Sequence, residues 1–243
     1  MSSLEQLRRA QPRLWRGRQH PHGQRTAATG DSRLDAFLPG GGWPLGALTE
    51  VLAPPPGCGE FSLLLPSLRH LTRNDHWTAL VAPPLLPYPP ALARAGVALS
   101  RLLIIQPEQP QDAAWAAEQL LRSGGFRAVL AWLPRAKLTQ LRRLQLAAEA
   151  GNDTWALAYR PESAIGDASP AALRLRFQPA DTARARNAQL HVLKCRGGNP
   201  GSLEIGAARR TRAQPDGNSR QHRAHPQPLR LDTRLPRRAA NDN

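Results

Sequence analysis

Gly57, Gly59, Glu60, Phe61 and Ser62 stand where an apolar run, Leu48 to Leu52, passes through a Pro/Gly loop into a leucine-rich segment. Strand, glycine-bearing loop, helix is the grammar of a phosphate-binding loop. In a working G-x-x-x-x-G-K-[ST] loop, backbone N–H groups cradle phosphate oxygens, the lysine meets the outer phosphates and the hydroxyl binds magnesium. Here the loop reads Pro54-Pro55-Pro56-Gly57-Cys58-Gly59 and arrives at Glu60-Phe61-Ser62. A carboxylate about 4 Å from a phosphate charge is repelled by roughly 4 kcal/mol at an effective dielectric near 20, where lysine would attract by a similar amount. Three successive prolines also remove N–H donors from the loop. The sequence therefore predicts the architecture of a triphosphate site without its chemistry, and no ATP or GTP cofactor is expected.

The elements that must position this loop lie on both sides of it. A short helix is predicted around Leu34 and Leu38, then a turn through Gly40, Gly41, Gly42, Pro44 and Gly46. Ser62 to Leu71 predicts a helix with leucines at a 3.6 period and Pro66 inside its first turns. Trp77–Ala82, Arg101–Ile105, Ala128–Leu133 and Thr154–Tyr159 are short apolar runs of buried-strand type. Helical segments separate them: Ala91–Ala95, Asp112–Arg122 with Trp115 and Leu120 among its apolar positions, and Lys137–Ala150. This alternation predicts an α/β domain with a mainly parallel sheet and helices on both faces. In Lys137–Ala150, Leu138, Leu141, Leu144 and Leu146 are set against Arg142, Arg143 and Gln145. The two arginines fit either a solvated helix face or a surface for a partner or DNA. Leu173–Phe177 and Gln189–Cys195 alternate with period two, predicting half-buried antiparallel strands at the sheet edge. Arg174, Arg176, Lys194 and Arg196 then read as protective edge charges.

The chain has 243 residues and a formal net charge of +15, which favours acidic partners: nucleic acid, an acidic protein surface or an anionic membrane. Cys58 and Cys195 are isolated, which fits a reducing compartment and argues against a disulfide or zinc framework. His20-x-His22 and His222-x-x-His225 lack further ligands nearby, so no metal is expected. Ser3 and Gln6 suggest a capping box for a short first helix, and Leu14-Trp15-Arg16 a packing or docking patch. No run approaches the roughly 20 apolar residues of a membrane helix. A soluble, cytoplasmic protein is expected. From about Gly206 onward, Arg209, Arg210, Arg212, Arg220, Arg223, Arg230, Arg234, Arg237 and Arg238 stand among Pro, Gln, Asn and Ala. Such a segment is expected to be disordered in isolation. It reads as an arm for nucleic acid or a partner, or as an inert solubilising tail.

Thr29-Gly30, Leu34-Asp35, Gly40-Gly41-Gly42, Pro44-x-Gly46 and Glu50-Val51 follow the order in which RecA-type recombinases enter their phosphate loop. Gln106-Pro107-Glu108, Ala117–Leu121, Arg122-Ser123-Gly124 and Ala128-Val129-Leu130 resemble the run leading to the Walker B strand. Together with Leu14–Gly17, Leu80–Pro84, Leu130–Pro134 and Leu141–Ala147, they make the chain resemble the ImuA family over about residues 4 to 200. These are RecA-like, often SulA-labelled accessory factors of SOS-induced translesion DNA synthesis. The resemblance implies a P-loop NTPase-type core in which two further catalytic positions are altered. The glutamate that activates water after the second strand is replaced by Pro83 and Pro84, and the Walker B aspartate by Trp132. It implies a non-enzymatic adaptor with a Y-family-like ImuB protein, a DnaE-type polymerase and RecA as partners, nucleoid-associated when active. The alternative is a SulA-like cell-division inhibitor that binds the division GTPase. The domain division expected is an N-terminal helix and linker over 1–28, a degenerate RecA-like domain over 29–205 and the basic tail over 206–243.

Overall fold

A computed structural model describes residues 25–151, 153–179 and 187–206. The expectations placed on Ser3 to Arg16, His20, His22, His222, His225 and the nine arginines of the basic tail lie outside these residues.

Eight strands form one sheet. In chain order they are β3 (Ala47–Ala53), β4 (Thr78–Val81), β5 (Leu102–Ile105), β6 (Ala128–Trp132), β7 (Trp155–Pro161), β8 (Leu173–Gln178), β9 (Asn187–Cys195) and β10 (Gly201–Gly206). Their spatial order is β10-β9-β8-β3-β7-β6-β4-β5. All pairs from β8 to β5 are parallel, and β8–β9 and β9–β10 are antiparallel. The helices are α1 (Ser32–Phe37), α2 (Leu65–Arg73), α3 (Pro89–Arg94), α4 (Asp112–Ser123) and α5 (Leu138–Ala150). This is a mixed α/β fold with a mostly parallel sheet.

Strand periodicity divides the core between two faces. Along β7, Trp155, Leu157 and Tyr159 join the cluster containing Leu34 of α1, Leu68 and Leu71 of α2 and Leu92 of α3. Ala156 and Ala158 face the opposite cluster, with Ala117 and Leu121 of α4 and Leu141 and Leu144 of α5. Successive side chains point to opposite faces, so large residues fill one layer while alanines let α4 and α5 approach the other. Helix α4 ends at Gly124 in the left-handed region (φ 67°), as the Ser-Gly-Gly terminator predicts.

Three sequence expectations change. Strand β8 is not an antiparallel edge strand. It lies inside the sheet, parallel to β3 on one side and antiparallel to β9 on the other, and β10 takes the edge. In α5, Gln145 is buried and Leu146 is 60% exposed. Gln145 Oε1 accepts the backbone N–H of Leu48 at 3.0 Å, giving a buried strand donor its partner. The turn after α1 also contains β2 (Trp43–Pro44), which pairs antiparallel with β1 (Thr26–Ala27). This ribbon places Trp43 in the core, stacked on Trp155 at 5.0 Å between ring centroids, with its indole N–H donated to Ser67 Oγ at 2.9 Å.

Gly30 sits where the chain enters α1, with φ 85°, and a Cβ built there would lie 2.3 Å from Pro66 Cβ. Replacing Gly30 with alanine adds positive-φ strain to a clash with a rigid ring. An expected loss of about 1–3 kcal/mol follows, measurable as a lower urea midpoint with an unchanged m-value.

Candidate functional site

Five parallel strands, β3, β4, β5, β6 and β7, end on one side of the sheet, the side on which open α/β folds bind ligands. A cleft of about 1380 Å³ lies there. Every one of these strands meets proline within two residues of its end or at its last residue: Pro54, Pro83, Pro107, Pro134 and Pro161. A proline has no N–H, so the loops that would present backbone donors to an anion instead present rings. At the exit of β4, Ala82 takes a left-handed conformation (φ 52°) that is uncommon for a residue with a side chain. Pro83 and Pro84, at the expected catalytic-glutamate position, then line the cleft.

The structure assembles the loop residues singled out in the sequence. Gly57 and Gly59 both have positive φ, 97° and 98°, and Gly59 caps a 3-10 turn over Glu60–Leu63. Pro66 stands at the start of α2, where a missing N–H costs nothing, so the proline opens the helix and does not interrupt it. Glu60 is buried at 6% exposure. Its Oε1 accepts the Gly57 N–H at 3.4 Å, and its Oε2 lies 3.3 Å from Cys58 Sγ. The loop thus turns a donor toward its own carboxylate. Ser62 Oγ donates to Gly59 O at 2.5 Å, so this hydroxyl closes the turn.

Trp132, at the end of β6, is half-buried and stacks on Tyr159 at 5.0 Å with an interplanar angle of 18°. Phe61 leans on the same indole at 6.1 Å. Tyr159 donates its phenol to Glu60 O at 3.0 Å, joining the aromatic group to the loop. Burial, then the nearby Glu60 carboxylate, push the Tyr159 pKa well above its usual value. Burial likewise pushes the Cys58 thiol up to about 11, with Glu60 adding to the effect, and burial alone does the same for Cys195. At pH 8 a thiol with that pKa is thiolate in only about one molecule in a thousand. Both cysteines are therefore expected to react slowly with a disulfide reagent at pH 8 and roughly tenfold faster for each unit of pH up to their pKa. Reaction at the rate of a free thiol would contradict these environments.

Sequence reasoning missed a buried ionic group on the opposite face of the sheet from the loop. Glu50, in the middle of β3, is fully buried. Its Oε1 accepts Arg160 Nη1 of β7 at 2.8 Å and its Oε2 accepts Arg174 Nε of β8 at 2.7 Å. Arg160 also reaches Asp167 Oδ2 at 2.7 Å and Ala136 O at 3.3 Å, and Arg174 reaches Ala164 O and Ile165 O. Arg174 is therefore an interior ion-pair partner, not an edge charge. Arg176 pairs with Glu162. Arg143 of α5 reaches across to the buried Glu118 of α4 at 2.7 Å, while Arg142 is exposed. Among the described residues no three His, Cys, Asp or Glu side chains converge as a metal site, and no helix is long and apolar enough to cross a membrane.

The family model for the cell division inhibitor SulA matches residues 50–155, from the middle of β3 to the start of β7. The chain is 35% identical over 108 residues to the cell division inhibitor SulA of Pectobacterium carotovorum subsp. carotovorum (strain PC1), covering 44% of this chain and 63% of that protein. It is 33% identical over 116 residues to the RecA protein of Chlorobaculum tepidum, covering 46% of this chain and 33% of that one. A solved structure of SulA from Pseudomonas aeruginosa aligns at 28% identity and a TM-score of 0.41, over 46% of this chain and 97% of that one. The chain thus spans just under two thirds of the first of these proteins and a third of the second. The stretch from the middle of β3 to the start of β7, which includes the Gly57–Ser62 loop and Trp132, is SulA-like, and the chain also has RecA-like similarity.

Proposed function

We propose that this protein is a non-catalytic, SulA- and RecA-like binding protein of the DNA damage response, with a P-loop NTPase-type core that has lost its reactive groups. The observation that carries this reading is the Glu60 carboxylate, buried and bonded to the Gly57 N–H where a triphosphate site would keep a lysine. The prolines at the strand ends and the Trp132–Tyr159 stack support it. Without a nucleotide switch, the chain acts by presenting surfaces to other proteins. In its finer form it is a cell-division inhibitor that binds the division GTPase, the activity that the 50–155 match favours. A second reading is favoured by the RecA similarity and by the ImuA resemblance, which continues past Trp155. In it the chain is a translesion-synthesis adaptor, nucleoid-associated when active, bridging ImuB, a DnaE-type polymerase and RecA.

One paired experiment tests both. The full chain is added at near-stoichiometric ratios to polymerising division GTPase, followed by light scattering, and to RecA filaments on single-stranded DNA, followed by filament length. Suppressed GTPase polymers with untouched RecA filaments support the first reading, and altered RecA filaments with normal GTPase polymers the second. No effect on either, or DNA-stimulated ATP turnover by the chain itself, removes the proposal.

A further inference from the structure

The cleft has a charge polarity that an abandoned nucleotide site does not require. Its carboxylates are engaged within the fold, Glu60 with the phosphate-loop backbone and Glu162 with Arg176. On the β6 side, Arg135 and Lys137 line the cleft, are exposed, and form no ion pair among the described residues. Helix α5, thirteen residues long, starts at the next position, so its positive end lies at the same rim. The rings of Pro54, Pro83, Pro84 and Pro107 and the indole of Trp132 also line the cleft. These groups are rigid, so little side-chain freedom is lost when something packs on them.

The cleft volume exceeds the roughly 300–1,000 Å³ of most small-molecule sites. A triphosphate entering by the usual route would meet Glu60 and find few backbone donors. An elongated apolar occupant with one negative charge meets no such penalty. We infer that the cleft is a docking site for an extended peptide segment of a partner protein, apolar along its length and carrying a carboxylate that meets Arg135 and Lys137. This inference rests on the non-catalytic reading of the same cleft and names what replaces the nucleotide there.

The test is to pan a phage-displayed library of linear peptides against the full chain and remeasure the selected sequences as fluorescein-labelled synthetic peptides by anisotropy. The expected peptides combine apolar residues with Asp or Glu. Their affinity is expected to fall at least about tenfold in the R135E/K137E double variant, which reverses two exposed charges. A comparable fall is expected for Gln111→Trp, which places bulk at the cleft wall from an exposed position. If no peptide is selected, or if both variants bind the selected peptides as tightly as the parent chain, this inference alone is overturned. Displacement of the peptides by ATP and magnesium overturns it together with the non-catalytic reading.

Discussion

Replacing Glu50 with alanine is expected to destabilise the fold by about 3–5 kcal/mol, because it leaves two buried guanidinium groups without their shared carboxylate. Glu50 is fully buried, and the Arg160 and Arg174 side chains are 5% and 11% exposed. Neither arginine can turn to solvent without breaking bonds to Asp167, Ala136, Ala164 or Ile165. The cost arises chiefly from the buried Arg174 charge left without a counter-charge, since Arg160 keeps Asp167, and says nothing about how much the intact group contributes over an apolar equivalent. Because Arg160 holds the carbonyl of Ala136 beside the basic rim, the same variant is also expected to loosen the cleft wall between β6 and α5. Urea unfolding reads the effect directly. An exposed acid, Glu108, replaced by alanine serves as control and should move stability by no more than about 0.5 kcal/mol. A loss below about 1 kcal/mol for Glu50→Ala would mean that the two arginines find other partners or water, contrary to the geometry.

The parallel half of the sheet is legible in the sequence because each of its strands is a short apolar run and each helix has a terminator or a clear stripe. Trp132 and the prolines after β4 could be placed for the same reason: they follow directly on runs whose register is fixed by burial. Glu50 could not be read this way. It is one acid inside the otherwise apolar ALTEVLA segment, and its partners lie 110 and 124 residues further along the chain. The LRLRF alternation misled because period two reports two unlike faces, not exposure of one. Here the second face holds Arg174 against Glu50 and Arg176 against Glu162. The Gln145 and Leu146 exchange had a signal. Leu141, Leu144, Gln145 and Ala148 follow the i, i+3, i+4, i+7 stripe, and Leu146 falls outside it. The β1–β2 ribbon had almost none, since two-residue strands among glycines and prolines carry no periodicity.

Replacing Glu60 with lysine restores the sequence signature of a phosphate loop at its most diagnostic position, yet the expected result is a less stable protein that still ignores ATP. Glu60 is 6% exposed and its carboxylate holds the Gly57 N–H and lies against the Cys58 thiol. An ammonium there would face the same N–H donor without an acceptor to offer it, which places the expected cost near the about 3–5 kcal/mol of an unpaired buried charge. Nucleotide would have to repay that cost. A ligand at one hundred times its dissociation constant stabilises by only about 2.7 kcal/mol. The other corners would still oppose it: Pro54, Pro55 and Pro56 leave the loop short of N–H donors, Pro83 and Pro84 occupy the β4 exit, and Trp132 is stacked on Tyr159 where a magnesium-holding aspartate would end the strand. Urea unfolding of parent and variant, with and without ATP and magnesium, should show a large drop in midpoint for Glu60→Lys and no nucleotide-dependent rise in either protein. A variant of near-parental stability whose midpoint climbs with ATP would show that a single residue separates this cleft from a working nucleotide site, and the surface-acting account would then fail.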